Sequence, residues 1–228
     1  MFPDLGLIRL ADGCHAIPVY SEEPRRKIAR GIGISRIDDR RGCRDADCFL
    51  CVTAAEAVEA ADQAALFNAL REGRAGALIR HALAPGVGDP AEFRIDDCAT
   101  QRNLSDEGRE QARALGERLR AEGVAAASVY SSQWCRCLET ARLLDLGEVQ
   151  ELPALNSFFN NRLRSERQTA DLRSFLRAAP PSDPVVLVTH QINIRALTGQ
   201  ATRSGEIVVV ALPPGEQASV LGRIPPPE

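Results

Sequence analysis

Two of the three histidines in this 228-residue sequence close apolar runs. Arg80-His81 follows Ala75-Gly76-Ala77-Leu78-Ile79, and Thr189-His190 follows Val185-Val186-Leu187-Val188. Neutral imidazole is a competent nucleophile toward phosphorus, and a covalent intermediate splits a hard displacement into two easier ones. The planar guanidinium fork of arginine matches phosphate oxygens, and Arg80 and Arg136 could supply it. A second histidine, protonated, would add charge and a donor where negative charge develops. These residue types are the parts of a phosphoryl-transfer site: a nucleophile, cations around the transferring oxygens and an acid for the leaving group. Singly each has a plainer reading. A histidine at a strand end is commonly a satisfied polar residue, and Arg136 on a helix face would be a solvated charge. Their order along the chain is what gives them weight.

Such residues need elements that bring them together. Residues 54–71, rich in Ala, Glu, Gln and Leu, suit a helix whose buried stripe would be Ala57, Ala61, Ala64, Ala65 and Leu66. Residues 75–81 read as a buried strand with a functional C-terminal end. A long polar loop follows over 84–103. Ser105 is an expected N-cap for a helix running to Gly123. Residues 126–130 read as a strand closing on Ser131-Ser132, and residues 134–144 as a helix. A short strand is expected at 148–152, then a loop through Asn156, Phe158 and Phe159, and a helix at 167–177. Residues 184–190 form the clearest strand pattern, followed by a short helix at 192–197 and edge strands at 207–212 and 219–224. Alternating strands and helices imply an α/β fold, a three-layer α/β/α sandwich with a mostly parallel central sheet. Ligands bind such sheets at the carboxyl ends of the strands. Three strands deliver Arg80-His81, Ser131-Ser132 and Thr189-His190 to that one edge.

Composition sets outer bounds. A net charge of −3 gives no basic field for nucleic acid, and no apolar run is long enough to span a membrane. Residues 1–52 alternate basic and acidic side chains with little apolar period and read as an irregular or disordered extension; residues 53–228 read as the folded domain. Residues 1–19 lack a secretory h-region. A faintly signal-like stretch at 48–55 follows Arg40, Arg41 and Arg44, so an over-extended gene start is an alternative. Seven cysteines leave the compartment open between periplasm and cytoplasm. Cys43, Cys48 and Cys51 with Cys14 or His15 could form a zinc site, although the spacing lacks paired knuckles.

Leu78-Ile79-Arg80-His81-Ala82 resembles the Arg-His-Gly signature of the histidine phosphatase superfamily. The resemblance continues in order. Residues 102–108, Arg-Asn-Leu-Ser-Asp-Glu-Gly, resemble the Leu-Thr-x-x-Gly entry to the first long helix, with Gln111-Ala112 after it. Residues 130–141 resemble the Ser-Ser-x-x-x-Arg-x-x-x-Thr-Ala block, and Val186-Leu187-Val188-Thr189-His190 resembles the late strand carrying the second histidine. Coverage is roughly residues 75–212. The resemblance implies that His81 is the phosphorylated nucleophile, that Arg80 and Arg136 clamp the phosphoryl oxygens, and that His190 completes the pocket. It implies no cofactor and no metal. The substrate would be a small phosphate ester or a phosphoprotein.

The sequence departs from the pattern in places. Ala82 replaces glycine and Gln133 stands where proline is frequent. Mutase-like members carry a glutamate after the third strand, whereas Leu155-Asn156-Ser157-Phe158-Phe159 has no acid, which disfavours a mutase or phosphotransferase. Small phosphohistidine phosphatases place the acid in the loop after the nucleophile. There Asp97 is the preferred proton donor and Asp89 the second choice, with Asp96 also available. Cys98 adjoins Asp97 while Cys135 and Cys137 flank Arg136, so a disulfide from Cys98 to either would pin the loop beside the clamp and imply an oxidising compartment. Trp134 with Phe158-Phe159 would form either an apolar wall over the pocket or core packing. A non-catalytic phosphate-binding module is the alternative from another class. Retention of both histidines and both arginines argues against it.

Overall fold

The computed structural model describes residues 54–178 and 183–227. The expected extension at 1–52, its zinc reading and the signal-like stretch lie outside the described residues, save Ala54 and Ala55. The described chain runs α1 (Ala54–Arg71), β1 (Ala75–Arg80), α2 (Asp106–Ala121), β2 (Ser128–Ser131), α3 (Cys135–Leu143), β3 (Val149–Glu151), α4 (Ser165–Ala178), β4 (Val185–Thr189), α5 (Gln191–Thr198), β5 (Ile207–Ala211) and β6 (Val220–Ile224).

The sheet has the order β3-β2-β4-β1-β5-β6. The pairings β2/β3, β2/β4 and β1/β4 are parallel, and β1/β5 and β5/β6 are antiparallel. Only β6 of the two late strands is an edge; β5 lies between β1 and β6, which corrects the expectation that both were edges. Its buried Ile207-Val208-Val209-Val210 run is what a strand covered on both faces requires.

Alternation along each strand feeds two cores. Ala77, Ile79, Val186, Val188, Ile207 and Val209 face α1, α2 and α3. Leu78, Leu187, Val208 and Val210 face Leu172 and Leu176 of α4 and Ile194 and Leu197 of α5. The result is the three-layer α/β/α sandwich. In α1 the buried side chains are Leu66, Phe67, Ala69 and Leu70, while Ala64 and Ala65 are exposed. The expected stripe is therefore rotated, because the large side chains and not the alanines set which face packs; Ala57 and Ala61 lie outside the described side chains. Among the described residues no helix is long and apolar enough to cross a membrane.

α2 begins as its sequence requires. Ser105 Oγ accepts from the Gly108 N–H at 3.1 Å, and Asp106 and Glu107 lie in the positively polarised first turn. A side chain at Gly108 would collide with the Leu83 carbonyl. That glycine lets α2 lie directly against the chain leaving β1.

Candidate active site

Sheet register brings the two histidines side by side. Arg80 pairs with Thr189, and the His81 N–H donates to the Thr189 carbonyl at 2.9 Å. Each histidine is thus the residue just past the paired end of adjacent parallel strands, with ring centroids 5.5 Å apart. On the other side of β4, the Ser132 N–H donates to the Val188 carbonyl at 3.0 Å, which sets Ser132 beside His190. The Ser132 Oγ lies 2.9 Å from His190 Nε2.

His81 is buried, and its Nδ1 is 2.8 Å from the Ala82 carbonyl. A carbonyl only accepts, so Nδ1 carries the proton and Nε2 keeps its lone pair. Burial, reinforced by the Arg136 charge, pushes the His81 pKa down to about 3. The ring is therefore the neutral, nucleophilic form at ordinary pH. The adjoining backbone is fixed by Thr140 Oγ1, which accepts from the Ala82 N–H at 3.1 Å and donates to the Arg136 carbonyl at 2.7 Å. One hydroxyl thereby ties the turn after His81 to the helix that carries Arg136.

His190 differs from the expectation of a protonated second histidine. Burial, then His81, then the surrounding arginines hold its pKa well below the ordinary value. A site crowded with guanidinium groups disfavours one more cation until an anion enters. Cys137, free and buried, lies 3.5 Å from His190 Nε2 and is itself pushed up to about 12 by burial, so it stays protonated.

The arginines face the same cavity of about 670 Å³ as the two histidines. Arg80 Nη1 donates to the Thr202 carbonyl at 2.7 Å. Arg136 donates from Nη1 to Asp89 Oδ1 at 2.6 Å, from Nη2 to Asp89 Oδ2 at 3.1 Å, and from Nη1 to the Arg102 carbonyl at 3.2 Å. Arg80 Nε and Arg136 Nε are buried without a hydrogen-bond partner among the described residues. Buried donors without partners are uncommon and call for an explanation.

Of the loop acids, the structure brings Asp89 to the site and not Asp97 or Asp96. Asp89 lines the cavity, whereas neither of the others does. Asp97 instead caps the 3-10 turn Cys98–Thr100, accepting from the Ala99 N–H at 3.0 Å, and pairs with Arg94. Of the expected donors, the second choice, Asp89, is at the cavity and the preferred one, Asp97, is not. The physical reason is local: an Asp directly before a short turn satisfies the turn's free N–H groups. Although burial alone would raise it, hydrogen bonds and charge from Arg136 hold the Asp89 carboxyl below the usual range.

Arg102 also lines the cavity, and sequence reasoning assigned it no role. Its Nε donates to the Gly88 carbonyl at 2.8 Å and its Nη1 to the Ala84 carbonyl. The available signal was its place at the head of the Arg-Asn-Leu-Ser segment. The disulfide joins Cys98 to Cys135, the residue before Arg136, and leaves Cys137 free. The expected aromatic wall divides: Trp134 and Phe159 line the cavity, and Phe158 is core. Phe93 stacks on Trp134 with centroids 5.0 Å apart.

Residues 77–164 match the model of the Histidine phosphatase superfamily (branch 1). Among solved structures the chain resembles the protein histidine phosphatase SixA complexed with tungstate, with 17% identity and a TM-score of 0.47 over 66% of this chain and 96% of that one. It also resembles a mycobacterial glucosyl-3-phosphoglycerate phosphatase complexed with VO3, with 19% identity and a TM-score of 0.46 over 60% of this chain and 92% of that one. No curated protein matches.

Proposed function

We propose that the protein is a phosphatase that hydrolyses phosphate monoesters, or phosphohistidine, through a phosphohistidine intermediate on His81, without a metal ion. One observation carries the reading. A neutral histidine with Nε2 unprotonated shares a cavity with Arg80 and Arg136, each of which has a buried Nε–H without a partner. Phosphoryl oxygens are the ligand that would use such donors.

In the first step the His81 Nε2 lone pair forms a bond to phosphorus while the bond to the leaving oxygen breaks. Asp89, which must first take up a proton from solvent, passes it to that oxygen. In the second step a water oxygen bonds to phosphorus, its proton returns to Asp89, and the nitrogen–phosphorus bond breaks to release phosphate. Arg80, Arg136 and Arg102 hold the equatorial oxygens, and His190 accommodates the charge that develops. The absence of an acid in residues 155–159 supports hydrolysis over a mutase or phosphotransferase cycle.

The test is hydrolysis of a chromogenic aryl phosphate in excess EDTA by the wild type and by His81→Ala. Turnover that survives EDTA and disappears in the variant is the expected result. Turnover retained by the variant, with contaminating phosphatase excluded, contradicts it.

A further inference from the structure

Asp89 and Arg136 hold each other in a way that conflicts with the work the proposed reaction gives both. The carboxylate spans both terminal nitrogens of the guanidinium, and the two side chains are buried, 8% and 3% exposed. Arg136 keeps only Nε without a partner. A bidentate grip on a phosphoryl group needs a two-nitrogen edge, and the terminal edge is filled. A phosphoryl dianion placed beside an ionised Asp89 would also meet a like charge at contact distance. The indole Nε1 of Trp134 donates to the same carboxylate, to Oδ2 at 3.0 Å, and the Arg102 N–H lies 3.3 Å from Oδ1.

Asp89 belongs to the loop between β1 and α2, where Gly86 and Gly88 both adopt positive φ and Val87 between them is 90% exposed. A Cβ added at Gly88 would meet no atom within 4 Å, so this part of the loop borders open space. Its far end is tied, because Cys98 is bonded to Cys135.

On the reading given above, we propose that Asp89 is an internal stand-in for the substrate's phosphoryl group: substrate and Asp89 exchange places on Arg136. Entry of the phosphoryl dianion takes the terminal edge of Arg136, and Asp89 leaves both that edge and the Trp134 indole. The displaced carboxyl, no longer paired with a cation and facing a dianion, takes up a proton and becomes the donor to the leaving oxygen. The acid is thus armed only when substrate is bound. The only bond formed in the exchange is the carboxyl O–H, whose proton comes from solvent.

Trp134 is the only tryptophan in the sequence, so its emission reports the exchange directly. Wild type is titrated with inorganic phosphate, following tryptophan emission and, in parallel, heat of binding. The expected result is a change in emission that saturates with the calorimetric binding curve. Asp89→Ala should begin with emission like that of phosphate-bound wild type, show no further change, and bind phosphate about tenfold tighter or more, because no internal anion competes. Binding without an emission change in wild type means that Asp89 stays in place, and overturns the exchange while leaving the phosphatase reading intact. Tighter binding by Asp89→Ala with no emission difference between the unliganded proteins means only that a negative charge was removed, and also overturns it. No binding of phosphate at millimolar concentration overturns the phosphatase reading and the exchange together.

Discussion

The site is assembled from two halves held by different means. Arg80, His81, Ser132 and His190 sit at the ends of three adjacent parallel strands, where backbone register fixes each one. Asp89 and Arg102 come from the loop between β1 and α2, which is held by side chains: the Arg136 ion pair, the Arg102 bonds to Gly88 and Ala84, and the Cys98–Cys135 disulfide. A ladder of backbone bonds cannot be undone one residue at a time, whereas side-chain ties can be exchanged. The strand half therefore holds the proposed nucleophile rigidly, and the loop half carries the groups whose state the proposed reaction must change.

Substitutions should divide along that line. His81→Ala removes the bond-forming nitrogen and should lower kcat by about 10⁴-fold or more in aryl phosphate hydrolysis. Arg80→Ala, also at a strand end, removes a donor aimed at developing charge and should cost about 10²- to 10³-fold in kcat. Arg102→Ala in the loop half should raise KM by about 10- to 100-fold, the worth of one charge-assisted hydrogen bond, with a smaller change in kcat. If Arg102→Ala instead cost as much kcat as Arg80→Ala, the contrast between the halves would fail.

The disulfide sharpens the comparison from the side of stability. Replacing Cys98 and Cys135 together by serine should lower unfolding stability by about 3–4 kcal/mol for a loop of this length, as read by denaturant titration. KM should rise more than kcat falls, because the strand half is untouched. Asp97→Ala should be the mildest change, leaving kcat/KM within about twofold, since its carboxylate serves the turn and not the cavity.

Protonation offers a separate check on the strand half. The His81 pKa lies at about 3, below the ordinary 6.5, so falling pH leaves the nucleophile neutral long after a typical histidine would be charged. After correction for ionisation of the substrate, kcat/KM should show no acid-side fall from about pH 7 to about pH 5. An acid limb near the ordinary histidine value would show that His81 is not the buried neutral ring described here.

Legibility in the sequence followed the same division. The pairing of Arg80-His81 with Thr189-His190 could be read because each closes a run of apolar residues, and a parallel sheet sends both ends to one edge. Arg136 was legible from its spacing after Ser131-Ser132. The loop was not, because nothing periodic orders residues 84–103. Asp97 precedes a turn and is drawn into capping it, while Asp89, eight residues earlier, meets Arg136 only through the fold. Arg102 was hidden by its own motif, whose evident role was to begin α2. In α1 the alanine-rich composition announced a helix without saying which face is buried, and Leu66, Phe67 and Leu70 decided it.

The measurement that bears most directly on the central claim is mass spectrometry of protein quenched during turnover of a phosphate monoester under conditions that preserve phosphohistidine. The account predicts one added phosphoryl group on the peptide containing His81, absent from His81→Ala. A phosphoryl group on any other residue, or steady turnover with no phosphoenzyme at any quench time, would contradict it.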